Sequence, residues 1–155
     1  MRSGQHPYAR ADITGKKIAI VGAGPAGLAA AHRLAMLGND VDIFDAGVKP
    51  GGLNEFGIAA YKATDNFAQD EIEWLLQIGG IKLHNGKALG KDFTLNDLSK
   101  SHDATFIGIG LDSVRNLSLD NENLSNVENA VDFIARLRQA SDFSEVPVGS
   151  NVVVI

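Results

Sequence analysis

The sequence predicts an α/β fold, a central parallel sheet with flanking helices, and three observations point to it. An apolar run ending in glycines, "KIAIVGAG", is followed after Pro25 by the helix-forming "AGLAAAHRLAMLG" and then by the alternating "DVDIFD". Beyond a long irregular stretch, segments with helical and strand patterns continue to alternate. The 155 residues are 45% apolar and 21% charged, the composition of one globular domain with a core of its own.

Residues 1–15 carry Gly4, Pro7 and Gly15 and read as a tail or linker. Lys16–Val21 reads as a buried strand. In the helix that follows, Leu28, Ala31, Leu34 and Ala35 fall at helical spacing, and Gly38 is placed to stop it. Asp40–Asp45 alternates into a second strand, which completes a β-α-β unit with parallel strands and a right-handed crossover. Ala46–Asp65 has no period, and a loop of that length inside a compact domain is usually functional or disordered. "NFAQDEIEWLLQIGG" reads as a helix with Ala68, Ile72, Leu75 and Leu76 on one face, Asp65 as its N-cap and Gly79 as its stop. Ile81–His84 is a strand, Thr94 caps a short helix in "TLNDLSK", and Asp103–Gly110 is a further buried strand. "NAVDFIARLRQ" is a helix with Ala130, Phe133, Ile134 and Leu137 on one face. "NVVVI", Asn151–Ile155, reads as a last strand that stops with no turn, cap or polar tail, the mark of a truncated element.

Several function classes find no support. The net charge is −5 and no Lys/Arg cluster offers phosphates a stripe of charge, so no nucleic-acid partner is expected. With no cysteine, this chain holds no disulfide, thiolate nucleophile or cysteine-ligated iron–sulfur cluster. No apolar run reaches membrane-spanning length and the N-terminus has no apolar signal core, so a cytoplasmic location is expected. His6, His32, His84 and His102 show no ligand spacing, so no metal site is expected, and His32 reads as a surface or edge residue. No nucleophile-elbow pattern occurs, and no residue is expected to act as a catalytic acid, base or nucleophile. Asp70, Glu71 and Glu73 read as a solvated helix face and Trp74 as partial core.

Gly22, Gly24 and Gly27 form G-x-G-x-x-G between a strand and a helix. Gly22 permits the tight turn, Gly24 lets the backbone approach a pyrophosphate, and Gly27 lets helix and strand pack closely. The helix N-terminus then presents N–H groups and a positive dipole end to the phosphates. Asp45 ends the second strand 21 residues after Gly24, where an acidic side chain accepts hydrogen bonds from a ribose diol. The pattern is that of a Rossmann-like dinucleotide-binding unit, and the fingerprint does not separate FAD from NAD. The loop after Asp45 carries Gly51, Gly52 and Gly57 for close backbone approach. It is placed either to run along a cofactor toward a ring system or to lie as an ordinary surface loop.

"VGAGPAGLAAAHRLAMLGNDVDIFDAGVKPGGLNEFGIAAYK" resembles the FAD-binding region of the glutamate synthase small subunit and NAD-dependent dihydropyrimidine dehydrogenase flavin subunit family. "ALGKDFTLNDL", "DATFIGIGLDSVRNLSLDNENL" and "VENAVDFIARLR" continue the resemblance in register. The resemblance implies an FAD site in which Ala23, Gly24, Pro25 and Ala26 line the pyrophosphate, with Gly22 and Gly27 as turn and packing glycines. Asp45 would hold the adenosine ribose, where relatives often have Glu. Gly52 and Leu53 would pass their backbone along the FAD, with Gly57 and Lys62 in the same loop. Leu89 would meet the adenine through its backbone, and Gly108 and Gly110 would close the mouth over the FAD. Two stretches depart from the pattern: Gly57-Ile58-Ala59 stands where relatives read Gly-Ile-Pro, and Leu119–Asn123 where they carry Pro-Gly-Glu-Asp.

The same resemblance implies a domain order. Residues 16–150 would be the N-terminal portion of an incomplete FAD-binding domain, and 151–155 the truncated start of a second, NAD(P)H-binding domain. That domain, and a later segment completing the FAD site, would be its intramolecular partners. A catalytic partner subunit would receive electrons through iron–sulfur clusters held outside this chain. An exposed edge at Asn151–Ile155 would also offer a route to a homodimer. Two alternatives stand beside this reading: a stand-alone NAD-binding regulatory module, and an inactive apo fragment.

Overall fold

A computed structural model describes residues 6–111, 114–115 and 117–155. Residues 1–5 of the expected tail, and 112, 113 and 116 of the loop after Gly110, lie outside the described residues. The elements run β1 Lys17–Val21, α1 Pro25–Met36, β2 Asp40–Asp45, α2 Leu53–Phe56, α3 Phe67–Leu76, β3 Ile81–Asn85, α4 Leu95–Ser101, β4 Ala104–Ile107 and α5 Ala130–Gln139. The four strands form one sheet in the order β3-β2-β1-β4, parallel throughout. Ile20 of β1 stands opposite Ile43 of β2 and Phe106 of β4, and Ile43 stands opposite Leu83 of β3.

Strand alternation sorts side chains to two faces. Ile20, Val41 and Ile43 turn to one face and pack with Leu28 and Ala31 of α1 and Ile72 of α3. Ile20 and Ile43 are fully buried, each worth about 1.5–3 kcal/mol of burial. Ala19 and Val21 turn to the other face, with Leu98 of α4, Phe44, Leu89 and Phe93. Helix α1 starts at Pro25, one residue before the expected stretch, because proline fits the first turn, where its missing N–H costs nothing. It ends at Gly38, whose φ of 86° is the left-handed stop that glycine supplies. Thr94 caps α4 in a reciprocal box with Asp97.

The second face also holds a buried charge. Asp42 of β2 accepts from His84 Nε2 at 2.7 Å and His102 Nε2 at 3.2 Å, and pairs with Lys17 Nζ at 2.9 Å. Three strands and the end of α4 thus meet on one carboxylate.

The structure corrects five expectations. The N-cap of α3 is Asn66, because Asp65 takes a left-handed φ of 57° in the turn that precedes the helix. His32 is buried, because residues 6–14 lie across it. The His6 ring stacks on Trp74 at 4.6 Å and its Nε2 lies 3.3 Å from His32 Nε2, while the Ala11 and Thr14 N–H groups donate to Met36 O and Gly38 O. The expected tail is therefore packed on α1 and α3 from His6 onward. The strand at 103–110 is shorter, Ala104–Ile107, and is an exposed sheet edge with Phe106 and Ile107 uncovered. Finally, Asn151–Ile155 forms no strand. Its side chains are exposed and it pairs with none of the described strands, and an isolated extended segment has nothing to hold it. Among the described residues no helix is long and apolar enough to cross a membrane.

Candidate nucleotide-binding site

The strand order places a switch point at β1: the chain leaves β1 toward β2 on one side, and β4 returns on the other. The crevice beyond the carboxyl ends of such strands is where open α/β sheets take ligands. Gly22 follows β1 and Gly108 follows β4, and the two backbones abut there, with the Gly108 N–H donating to Val21 O at 2.8 Å. A Cβ on Gly22 would run into the Gly108 carbonyl, and its φ of 105° already favours glycine. A Cβ on Gly27 would run into the Gly22 carbonyl, so helix α1 sits close against the turn.

Gly24 is different. A Cβ there would meet only Gly52 Cα, at 3.9 Å, so the space over it is open. It is the N-cap of a twelve-residue helix with no side-chain cap and no acidic residue in its first turn. The first intrahelical bond runs from Leu28 N–H to Gly24 O, so Ala26 and Gly27 turn their N–H groups to the helix mouth. Pro25 and Ala26 are exposed beside it and Ala23 is buried beneath.

A second glycine pair closes on the first. The Gly51 N–H donates to Ala23 O at 2.8 Å, and a Cβ on Gly52 would stand 2.9 Å from Gly24 Cα. Gly52 has φ 52°, so glycine is required twice over. The long loop is therefore no free surface excursion where it passes the turn.

Asp45 lies at the same mouth. Its Oδ2 accepts from Ala23 N–H at 2.6 Å and its Oδ1 from Gly47 N–H at 2.7 Å. A carboxylate offers about four acceptor positions, so these bonds orient it and leave capacity for a diol. Lys87 N–H donates to Asp45 O at 2.8 Å, which brings the segment leading to Leu89 alongside. The Leu89 side chain packs inward with Ala19, Val21 and Phe44.

The remaining expected residues lie further round. Leu53 is exposed at the start of α2, and Gly57 caps its end with a φ of −112°. A Cβ on Gly57 would crowd Leu53 Cδ2 at 2.6 Å. Lys62 lines a separate shallow cavity with Asn54, Ile58, Thr64 and Phe67, and its Nζ lies 5.8 Å from the Tyr61 ring. Gly110 stands in open space with φ 69°. Sequence reasoning read Gly51 only as a close-approach glycine, without the N–H that locks the two turns together, and it missed the buried carboxylate of Glu55. Nothing local marks Glu55, because its partners Gln69 and Gln139 are far along the chain. Among the described residues no three His, Cys, Asp or Glu side chains gather as a metal site.

The open floor over Gly24, the uncapped helix mouth and the oriented Asp45 fit the phosphates and ribose of a dinucleotide. The sequence pattern of pyridine nucleotide-disulphide oxidoreductases matches residues 16–155. The glutamate synthase [NADPH] small chain of Escherichia coli is 38% identical over 133 residues, covering 85% of this chain and 28% of that protein. The NAD-dependent dihydropyrimidine dehydrogenase subunit PreT of Salmonella typhimurium is 34% identical over 146 residues, covering 94% of this chain and 35% of that protein. This chain thus spans about a third or less of these relatives' lengths. The structure of FprA from Mycobacterium tuberculosis in complex with NADPH superposes with a TM-score of 0.71 at 27% identity, over 84% of this chain and 30% of that one.

Proposed function

Since the chain belongs to the pyridine nucleotide-disulphide oxidoreductase family, we propose that it is the FAD-binding module of an NAD(P)H-dependent oxidoreductase that passes electrons from NAD(P)H through FAD to an iron–sulfur partner. The observation that supports FAD most is the bond from Gly51 N–H to Ala23 O, which seats the second glycine pair against the phosphate turn. A dinucleotide lying on that turn would continue along a backbone already in place toward its ring system.

In this reading Ala23, Gly24, Pro25 and Ala26 line the pyrophosphate, Gly22 and Gly27 are the turn and packing glycines, and Asp45 holds the ribose. Gly52, Leu53, Gly57 and Lys62 follow the cofactor outward, Leu89 meets the adenine, and Gly108 and Gly110 close the mouth. When bound, FAD supplies the redox chemistry, accepting a hydride and releasing electrons. The residues of this chain bind and orient it, and none need move a proton. The NAD(P)H-binding domain, the remaining FAD contacts and the iron–sulfur partner are assigned to other parts of the protein or its complex, with Asn151–Ile155 read as the opening of that domain.

The test is the visible absorption spectrum of the purified chain before and after FAD is added and the excess removed. Retained flavin bands are expected. Retention of NAD but not FAD would overturn the proposal in favour of an NAD-binding module.

A further inference from the structure

Glu55 lies on α2, three residues after Gly52, and its side chain is only 9% exposed. A buried carboxylate is costly unless its oxygens are bonded. Here Oε2 accepts from Gln69 Nε2 of α3 at 2.9 Å, and Oε1 accepts from Gln139 Nε2 of α5 at 2.9 Å, with Lys49 Nζ at 3.7 Å. Each partner is itself tied to the loop. Gln69 Nε2 also donates to Pro50 O at 2.9 Å, and Gln139 Oε1 accepts from Lys49 Nζ at 2.9 Å. Next to them Arg138 donates to Glu55 O at 2.7 Å and to Ala63 O at 2.8 Å. Burial alone would raise the Glu55 pKa, but the Gln139 and Gln69 bonds and the Lys49 and Arg138 charges hold it below its ordinary value, so the group is an anion at neutral pH.

A four-residue helix cannot hold itself in water. What α2 lacks in its own hydrogen bonds, this carboxylate supplies from two other helices. Glu55 also backs directly onto the phosphate-turn partner: a Cβ on Gly51 would stand 2.8 Å from Glu55 Cβ.

We propose that Glu55 is a positioning residue: by drawing Gln69 and Gln139 onto one carboxylate, it fixes the Gly51–Gly57 segment against the phosphate turn and so sets the affinity for FAD. The proposal rests on the FAD reading above. It makes α5, distant in sequence, part of the machinery that shapes the cofactor loop.

The experiment is a flavin-fluorescence titration of FAD into flavin-stripped protein, on the full chain. Glu55→Ala and Gln139→Ala are each expected to raise the dissociation constant about tenfold, the worth of one charge-assisted hydrogen bond. The double exchange Glu55→Gln with Gln139→Glu puts the carboxylate on α5, still beside Lys49, and an amide on α2 that can accept from Gln69 and donate across. It is expected to return the affinity to within about twofold of wild type, which general damage to the loop would not allow. Arg136→Ala, on the same helix but paired with Glu128, is the control and is expected to bind as wild type. If Glu55→Ala does not fold, Gln139→Ala and the exchange decide, since Gln139 is an exposed residue. Unchanged affinity in the single variants, an exchange that fails to restore binding, or equal weakening by Arg136→Ala would overturn the positioning role. A wild-type protein that takes up no FAD would instead overturn the FAD reading itself.

Discussion

At the scale of single residues, the three glycines of the fingerprint do different work, and the geometry separates them. Gly24→Ala adds a methyl group to open space, where its nearest neighbour is Gly52 Cα at 3.9 Å, and φ −78° with ψ −179° suits alanine. Stability is expected to fall by about 1 kcal/mol at most, the cost of alanine at an N-cap, while FAD affinity falls about tenfold or more because the methyl occupies the approach to the phosphates. Gly27→Ala drives its Cβ into the backbone carbonyl of Gly22. Its expected cost is about 2 kcal/mol or more in denaturant unfolding, since backbone cannot yield as a side chain can. Equal stability of the two variants would mean that the turn relaxes and that the distinction is wrong. The sequence pattern assigns the three positions different roles by their place in the fingerprint; the packing of Gly22 against both Gly27 and Gly108 supplies the physical reason that two of them have no room for a side chain.

At the scale of elements, Asp42 joins β1, β2, β3 and the end of α4. Burial on its own would raise its pKa, yet the hydrogen bonds from His84, Lys17 and His102 bring it down to about 2. A folded-state value below the unfolded one of about 3.9 stabilises the native state above that unfolded value, and the contribution is lost as pH falls toward 2. It amounts to about 2 kcal/mol. Urea midpoints measured from pH 5 to 2.5 are expected to fall less steeply in Asp42→Asn than in wild type, and parallel curves would remove this role from Asp42. The variant is also expected to lose about 2 kcal/mol near neutral pH, because the charge-assisted hydrogen bonds from His84, His102 and Lys17 become weaker neutral ones. None of this network could be read from the chain, since Asp42 alternates with Val41 and Ile43 as any outward strand residue would. What was legible was local. Gly38 and Thr94 announced helix ends because caps are set by neighbours in sequence. What failed was whatever depended on a distant partner: His32 was expected at the surface and is covered by residues 6–14, and the apolar "NVVVI" was expected as a strand and finds none to pair with. The same blindness hid Glu55, whose partners Gln69 and Gln139 lie 14 and 84 residues away.

At the scale of the whole molecule, residues 6–14 lie along one face of the domain, and a pair of histidines, His6 and His32, is among the contacts that join them to α1. Burial and the neighbouring His6 both push the His32 pKa below its ordinary value. A depressed histidine favours the native state above its unfolded pKa of about 6.5, and that contribution is lost as pH falls through this value toward the folded one. Trp74 is the single tryptophan and stacks on both rings, so it reports the event. Its fluorescence is expected to change with a midpoint below 6.5, and His32→Phe is expected to abolish the transition; a titration unaltered by that variant would place its origin elsewhere. The strand order carries a consequence of another kind, in the timing of synthesis. As the polypeptide leaves the ribosome, β1, β2 and β3 are complete once Asn85 has emerged, but β4, which covers the other side of β1, ends at Ile107. At translation speeds of about 5–20 residues per second, the nascent three-stranded sheet waits on the order of one to four seconds with an interior strand of the finished fold as its open border. During that interval β1 is the natural point of attack for a neighbouring nascent chain, so a chaperone that engages this protein early has one strand above all to shield.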